Sequence, residues 1–246
     1  MTCATCGAKG GPPFGDGFEP SGLPELRAFV LDLAPLLSRS DEIDPILSAE
    51  ERTRAGRFIF EADRRRFRAA RWALRRILGE RLGVPPAEVA FRILPGGKPA
   101  LAPPFDGTGV RFNLSHSGDL LLVALADGRE VGADVERARE DLDWPALSAR
   151  FLPAGSVATL AALAPAEGRA AFFRAWTLAE ALGKAAGVGL AIHDERHRET
   201  LAALAARPPG EPFPLEWSGR KFRLLSFEPR PGFAGALAVE EGTSGV

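Results

Sequence analysis

Residues 112–136 read FNLSHSGDLLLVALADGREVGADVE. The run Leu120 to Ala126 is apolar throughout, the pattern of a strand covered on both faces. Asp127-Gly128 supplies a turn, and Val131, Ala133 and Val135 then alternate with other residues as a half-buried strand does. Successive strand side chains point to opposite faces, so Asp134 and Glu136 share one face. Two neighbouring carboxylates repel unless a cation lies between them. A hard divalent ion held by one or two carboxylates together with substrate phosphates is the usual setting of magnesium. The pair is thus a candidate metal site, although an acid pair at a strand end is also a common solvated face. A third acid, Glu180, stands in the run WTLAEALGK.

Outward from this stretch, Val110 to Leu114 reads as a strand that stops at Ser115-His116-Ser117-Gly118, and Val89 to Leu94 as another, followed by the turn Pro-Gly-Gly-Lys-Pro that presents Lys98. Ser48 with Glu51 three residues later makes a capping box for a short helix reaching Phe60. Asp63 is positioned to cap a longer helix to about Leu82, stopped by Gly83 and Pro85. Between Glu50 and Arg81 there are eleven arginines against five acids. Such a cluster suits a solvated helix face, a nucleic-acid patch or the seat of a phosphorylated ligand. Thin aromatic interleaving and the absence of a nucleic-acid fold signature argue against nucleic acid.

Downstream, Trp144-Pro145 leads a helix ending near Leu152, Pro153 opens a second, and Pro165 starts a third that runs to about Ala186 before Gly187. On that third helix Glu180 and Lys184 are neighbours at i,i+4, the spacing of a routine surface pair. Phe213 to Trp217, Phe222 to Glu228 and Phe233 to Val239 read as strands of a small antiparallel sheet. Strand, helices and more strands in each half give an α+β fold of two similar lobes joined near Arg129, with lobes at 21–130 and 131–241, a disordered leader at 1–20 and a tail at 242–246.

The sequence has 246 residues, 46% hydrophobic, with a formal net charge of −1, enough for a sizeable core. No apolar run approaches the roughly 20 residues of a membrane span, and the N-terminus lacks a signal peptide's basic start and apolar stretch. A cytoplasmic protein is expected. Cys3 and Cys6 form a C-x-x-C without the second pair a zinc knuckle needs.

The segments FNLSHS (112–117), GADVE (132–136) and WTLAEALGKAAGVGL (176–190) occur in that order. They resemble the motifs of the 4′-phosphopantetheinyl transferases, specifically the larger monomeric kind that serve peptide, polyketide and fatty-acid synthases. The resemblance covers about Leu47 to Leu190. It implies a pseudo-dimer of two α/β lobes, each a small mainly antiparallel sheet packed with helices, with the ligand in the cleft between them. It implies transfer of 4′-phosphopantetheine from coenzyme A to a serine of an apo acyl or peptidyl carrier protein, releasing 3′,5′-ADP. By motif position, Asp134, Glu136 and Glu180 would hold Mg2+. Lys184 and His116 would contact the pyrophosphate, Ser115 would help fix the nucleotide, and Arg54 and Arg66 would hold its 3′-phosphate end. Lys98 would reach a ligand phosphate, and Glu180 is also the candidate base, so that Glu180, Lys184 and His116 form the catalytic set.

Two positions depart from the family pattern. Ala179 stands where relatives usually carry a lysine just before the helix glutamate, and Ser156 where they often have an acid. Loss of that lysine matters if it assists catalysis and little if it only packs, which keeps alive a non-catalytic or impaired coenzyme A or carrier-binding module. A serine hydrolase is a weaker rival. Ser115 and His116 are adjacent on a strand and point apart, no G-x-S-x-G elbow is present, and His193 and His197 lie in a polar segment without an evident partner.

Overall fold

A computed structural model describes residues 17–23, 26–189 and 197–242, apart from the side chains of residues 198 and 199. Cys3, Cys6, His193, most of the expected leader and nearly all of the expected tail lie outside the described residues. In chain order the elements are β1 (Leu26–Asp32), α1 (Ser40–Ile43), α2 (Ala49–Ala55), α3 (Glu61–Leu82), β2 (Phe91–Ile93), β3 (Pro99–Leu101), β4 (Val110–Ser117) and β5 (Leu120–Asp127) in the first half. The second half holds β6 (Val131–Arg137), α4 (Trp144–Phe151), α5 (Ala154–Ala161), α6 (Pro165–Ala186), α7 (Arg198–Ala205), β7 (Phe213–Trp217), β8 (Arg220–Phe227) and β9 (Phe233–Glu240).

Each half is built on an antiparallel sheet, ordered β1-β5-β4 in the first and β6-β9-β8-β7 in the second, with β2 and β3 forming a separate hairpin. The period-two pattern of β5 feeds two cores at once. Leu121, Val123 and Leu125 pack with Trp72, Leu74 and Leu78 of α3, while Leu120, Leu122, Ala124 and Ala126 pack against Val131, Ala133 and Val135 of β6 and Leu237 of β9. The inner faces of the two sheets therefore bury each other. On the outer face of the second sheet, Phe222, Leu224, Ala236 and Ala238 pack with Leu178 and Leu182 of α6. The layers run helix, sheet, sheet, helix, so the expected pair of lobes is present with its joint at the turn before β6.

The edge strands β4 and β6 lie side by side but are stitched by side chains. Asn113 Oδ1 accepts from the Ala133 N–H at 2.9 Å, Ser115 Oγ donates to Asp134 at 2.8 Å, and Ser117 Oγ donates to Glu136 at 2.7 Å while accepting from the Arg137 N–H at 3.1 Å. Alternate residues of one strand thus supply the bonds that a backbone ladder would otherwise make. β4 accordingly continues through Ser117 instead of stopping at Ser115.

Other expected boundaries shift for local reasons. The capping box at Ser48 and Glu51 is formed, but α2 ends at Ala55 with Gly56 at its C-cap, short of Phe60. α3 begins at Glu61 after an extended Phe60 that gives no side-chain cap, which leaves Asp63 in the first turn, where its charge favours the helix dipole. β2 is confined to three residues because it pairs only with the three of β3. Ordered chain also reaches back into the expected leader: Phe18 exchanges backbone hydrogen bonds of 2.8 and 2.9 Å with Ala28.

Most of the arginine cluster is held by the protein's own acids. Arg66 bonds Asp119 at 2.7 Å, Arg81 bonds Asp127 at 2.7 Å, and Arg68 pairs with Asp44. Buried Glu51 accepts from Arg71 at 2.5 Å and Arg75 at 2.7 Å. Burial alone would raise the Glu51 pKa, but Arg71, the Ser48 N–H and Arg75 together hold it below the ordinary carboxylate range. A lowered carboxylate pKa contributes stability that is present above the ordinary value and is lost as pH falls through the folded-state value. Glu51→Gln is expected to cost about 2 kcal/mol at pH 7. It should also flatten the acid limb of a plot of denaturation midpoint against pH; an acid limb as steep as the parent's would contradict this role for Glu51.

Candidate active site

Asp134, Glu136 and Gly132 occupy the face of β6 opposite Val131, Ala133 and Val135, and that face looks onto α6. A Cβ built on Gly132 would lie 1.9 Å from the Ala181 carbonyl oxygen and 2.7 Å from the Ala185 nitrogen, so the helix backbone lies flush against the strand at this point. The helix itself is well bounded, with Pro165 in its first turn and Gly187 beyond its last in the left-handed region. The close approach brings the Lys184 ammonium to 2.6 Å from Asp134 Oδ1, and to 3.2 Å from the Ala133 carbonyl and 3.3 Å from Ser115 Oγ.

Asp134 is only 3% exposed, and its second carboxylate oxygen, Oδ2, is buried with no hydrogen-bond partner. Burial pushes its pKa up; Lys184 and Ser115 oppose the shift and Glu180 adds to it. Glu136, half-buried, is raised by burial, with Asp134 and Glu180 reinforcing and the Ser117 hydrogen bond and Lys184 opposing. The charge of Glu180 therefore acts on both acids of β6, and Glu180 belongs to the same cluster. As placed, no group of three His, Cys, Asp or Glu side chains among the described residues is gathered tightly enough to hold a metal ion. Lys184 is the cation that Asp134 carries instead.

His116 follows Ser115 on β4 but is solvent-exposed. Partial desolvation, then Arg66 and Lys184, hold its pKa below the ordinary imidazole value, with Asp63 opposing. Ser115 Oγ serves Asp134 and Lys184 and makes no bond to the imidazole, which removes the hydrolase reading. His197 accepts from Trp217 Nε1 at 3.2 Å. Next to the cluster, Arg66, Asp119, Arg137, Arg139 and Arg230 line an open cleft of about 820 Å³, within the range of small-molecule sites.

Ser115, His116, Asp134, Glu136, Glu180, Lys184 and Arg66 are thus brought to one region. Arg54 stands apart, its guanidinium 5.4 Å from the Phe67 ring centroid in a cleft with Glu50 and Arg57. Lys98 donates to Glu130, the Val131 carbonyl and the Lys184 carbonyl at 2.9, 3.0 and 2.9 Å, which accounts for all three of its N–H groups. Ser117, Asn113, Gly132 and Asp119 were not singled out from the sequence. The polar alternation Asn113, Ser115, Ser117 along one strand was the available signal for the first two.

Residues 35–127 match the family described as 4′-phosphopantetheinyl transferase, N-terminal, and residues 130–225 match the 4′-phosphopantetheinyl transferase superfamily. The chain is 38% identical over 215 residues to the 4′-phosphopantetheinyl transferase HetI of Nostoc sp., covering 87% of each chain. The chain belongs to the 4′-phosphopantetheinyl transferase superfamily. It is also 32% identical over 173 residues to the 4′-phosphopantetheinyl transferase psf-1 of Bacillus pumilus, covering 67% of this chain and 70% of that one. Over 120 residues it is 38% identical to the 4′-phosphopantetheinyl transferase AcpT of Salmonella typhi, covering 49% and 60%.

As a member of this superfamily the protein is an enzyme of 4′-phosphopantetheinyl transfer to carrier proteins. The two family segments meet between residues 127 and 130, at the turn joining the two sheets. Ala179, the position where other phosphopantetheinyl transferases usually carry a lysine, is 1% exposed and packs in the core beneath α6. The residue at this position is therefore part of the packing between α6 and the second sheet. No helix among the described residues is long and apolar enough to cross a membrane.

Proposed function

We propose that this cytoplasmic, monomeric transferase moves 4′-phosphopantetheine from coenzyme A to a serine hydroxyl of an apo acyl or peptidyl carrier protein, with magnesium held by Asp134, Glu136 and Glu180. The serine oxygen bonds to the β-phosphorus, the bond from that phosphorus to the bridging oxygen breaks, and 3′,5′-ADP leaves with the bridging oxygen. The observation that carries this reading is the buried, unpartnered Oδ2 of Asp134, next to Glu136 and within the field of Glu180, whose charge raises the pKa of both acids of β6. An all-oxygen donor set with an unfilled buried acceptor fits a hard divalent cation. Asp134, Glu136 and Glu180 would hold the magnesium, which would supply neutralisation of the charge that develops on the leaving phosphate.

The protein's own groups supply alignment and proton handling. Ser117 orients Glu136, and Ser115 orients Asp134. Lys184, the counter-charge of Asp134, offers its ammonium to a pyrophosphate oxygen. His116, exposed beside Arg66, contacts the same diphosphate and donates a hydrogen bond without needing to carry charge. Arg66 receives the 3′-phosphate end of coenzyme A, and Glu180 accepts the proton of the incoming serine. Both halves of the cleft come from one chain, so one monomer holds a full set of groups.

Intact-mass measurement tests this directly. Incubation of a panel of apo-carriers with the protein, coenzyme A and magnesium should yield carriers heavier by one phosphopantetheine, with 3′,5′-ADP formed in equal amount. Tight binding of coenzyme A with no mass change on any carrier would instead support the non-catalytic binding module.

A further inference from the structure

Lys98 lies in the first half, at the end of the β2–β3 turn, which is closed by hydrogen bonds from Leu94 N–H to Lys98 O and from Gly97 N–H to Leu94 O, both 2.9 Å. Its side chain, 15% exposed, crosses to the second half. There the ammonium is saturated by Glu130 Oε2, the carbonyl of Val131 at the start of β6 and the carbonyl of Lys184 near the end of α6. The last four carbonyls of a helix have no partner within it, and the negative end of the helix dipole lies there. In α6 the Gly183 carbonyl is taken by the Val188 N–H at 2.9 Å and the Ala186 carbonyl by Arg220 at 3.0 Å. Lys98 fills the position between them from the opposite lobe.

We propose that Lys98 is a positioning residue that acts through Lys184 and does not contact the ligand phosphate. Its three bonds tie one turn of the first half to both the start of β6 and the last turn of α6. Those are the two backbones whose spacing sets the 2.6 Å contact between Lys184 and Asp134. The ammonium has no N–H left for a phosphate. Two lysines thus act in series: Lys98 holds the Lys184 backbone, and the Lys184 side chain serves the reacting diphosphate. The kinetic part of this proposal rests on the transfer reaction proposed above.

The test compares Lys98→Met and Lys98→Arg with the parent, measuring transfer kinetics and the affinities for coenzyme A and 3′-dephospho-coenzyme A. Lys98→Met should lower kcat about tenfold with KM for coenzyme A within about threefold, and leave the affinity ratio of the two nucleotides as in the parent. Lys98→Arg should recover part of kcat. A rise of about tenfold in KM at unchanged kcat, or an affinity ratio falling toward one, would make Lys98 a phosphate contact and overturn the proposal, as would an unchanged kcat. If Lys98→Met does not fold, Glu130→Ala removes one of the three acceptors and should give the same split at smaller size, with the same outcomes counting against it. Absence of transfer by the parent would refute the functional reading alone. The nucleotide affinity ratio, which needs no turnover, would still decide whether Lys98 touches the 3′-phosphate.

Discussion

Asp134→Asn is expected to lower kcat/KM for carrier modification by about a thousandfold while leaving the fold intact. The substitution keeps the side-chain volume and one acceptor oxygen for Lys184 and Ser115, so packing around this buried position is preserved. It removes the negative charge that the site offers a divalent cation and replaces the unpartnered Oδ2 with an amide donor. Loss of several kcal/mol of transition-state charge stabilisation corresponds to about three orders of magnitude in rate. A second readout does not depend on turnover. Magnesium at about a hundred times its Kd stabilises a protein by about 2.7 kcal/mol, roughly 5–10 °C in Tm for a chain of this size. The parent should show that rise and Asp134→Asn should not. An equal magnesium-dependent rise in both proteins, or near-parent transfer by the variant at millimolar magnesium, would remove Asp134 from the metal site.

Gly132→Ala should be nearly as damaging by a different route. The added methyl would meet the Ala181 carbonyl oxygen at 1.9 Å and the Ala185 nitrogen at 2.7 Å, both backbone atoms of α6 that no rotamer change can move. The helix must lift from β6, and with it Glu180 and Lys184 move relative to Asp134. Overpacking of this kind costs about 1–3 kcal/mol or more, and a displacement of about 1 Å among reacting groups costs about a hundredfold in rate. Chemical denaturation and transfer kinetics together give the check. Parent-like values in both would mean that α6 does not bear on the strand at Gly132.

Fold class was readable because the patterns involved are local. The apolar run Leu120–Ala126, the capping box at Ser48 and Glu51, and the Pro165 and Gly187 bounds of α6 each report a backbone preference carried by a few adjacent residues. The shared face of Asp134 and Glu136 followed from strand periodicity in the same way. Where local signals competed, boundaries slipped: Asp63 is a good capping residue, yet the helix begins ahead of it at Glu61. The three motifs spread along the chain identified the family that the relatives then showed, because their order and spacing survive without reference to contacts.

The partners of these residues were another matter. Periodicity can say that Asp134 points away from Val135, but not that Lys184, fifty positions later, lies against it, nor that Lys98 is held by carbonyls from the other half. Such pairings depend on how closely two elements approach, and here that distance is set by a missing side chain at Gly132 and by side-chain bonds between β4 and β6. The sequence by itself determined the elements, their exposed and buried faces and the acids on offer. The tertiary structure alone decided which charges meet, because hydrogen bonds and ion pairs act over a few ångströms, and only packing brings residues distant in the chain within that reach.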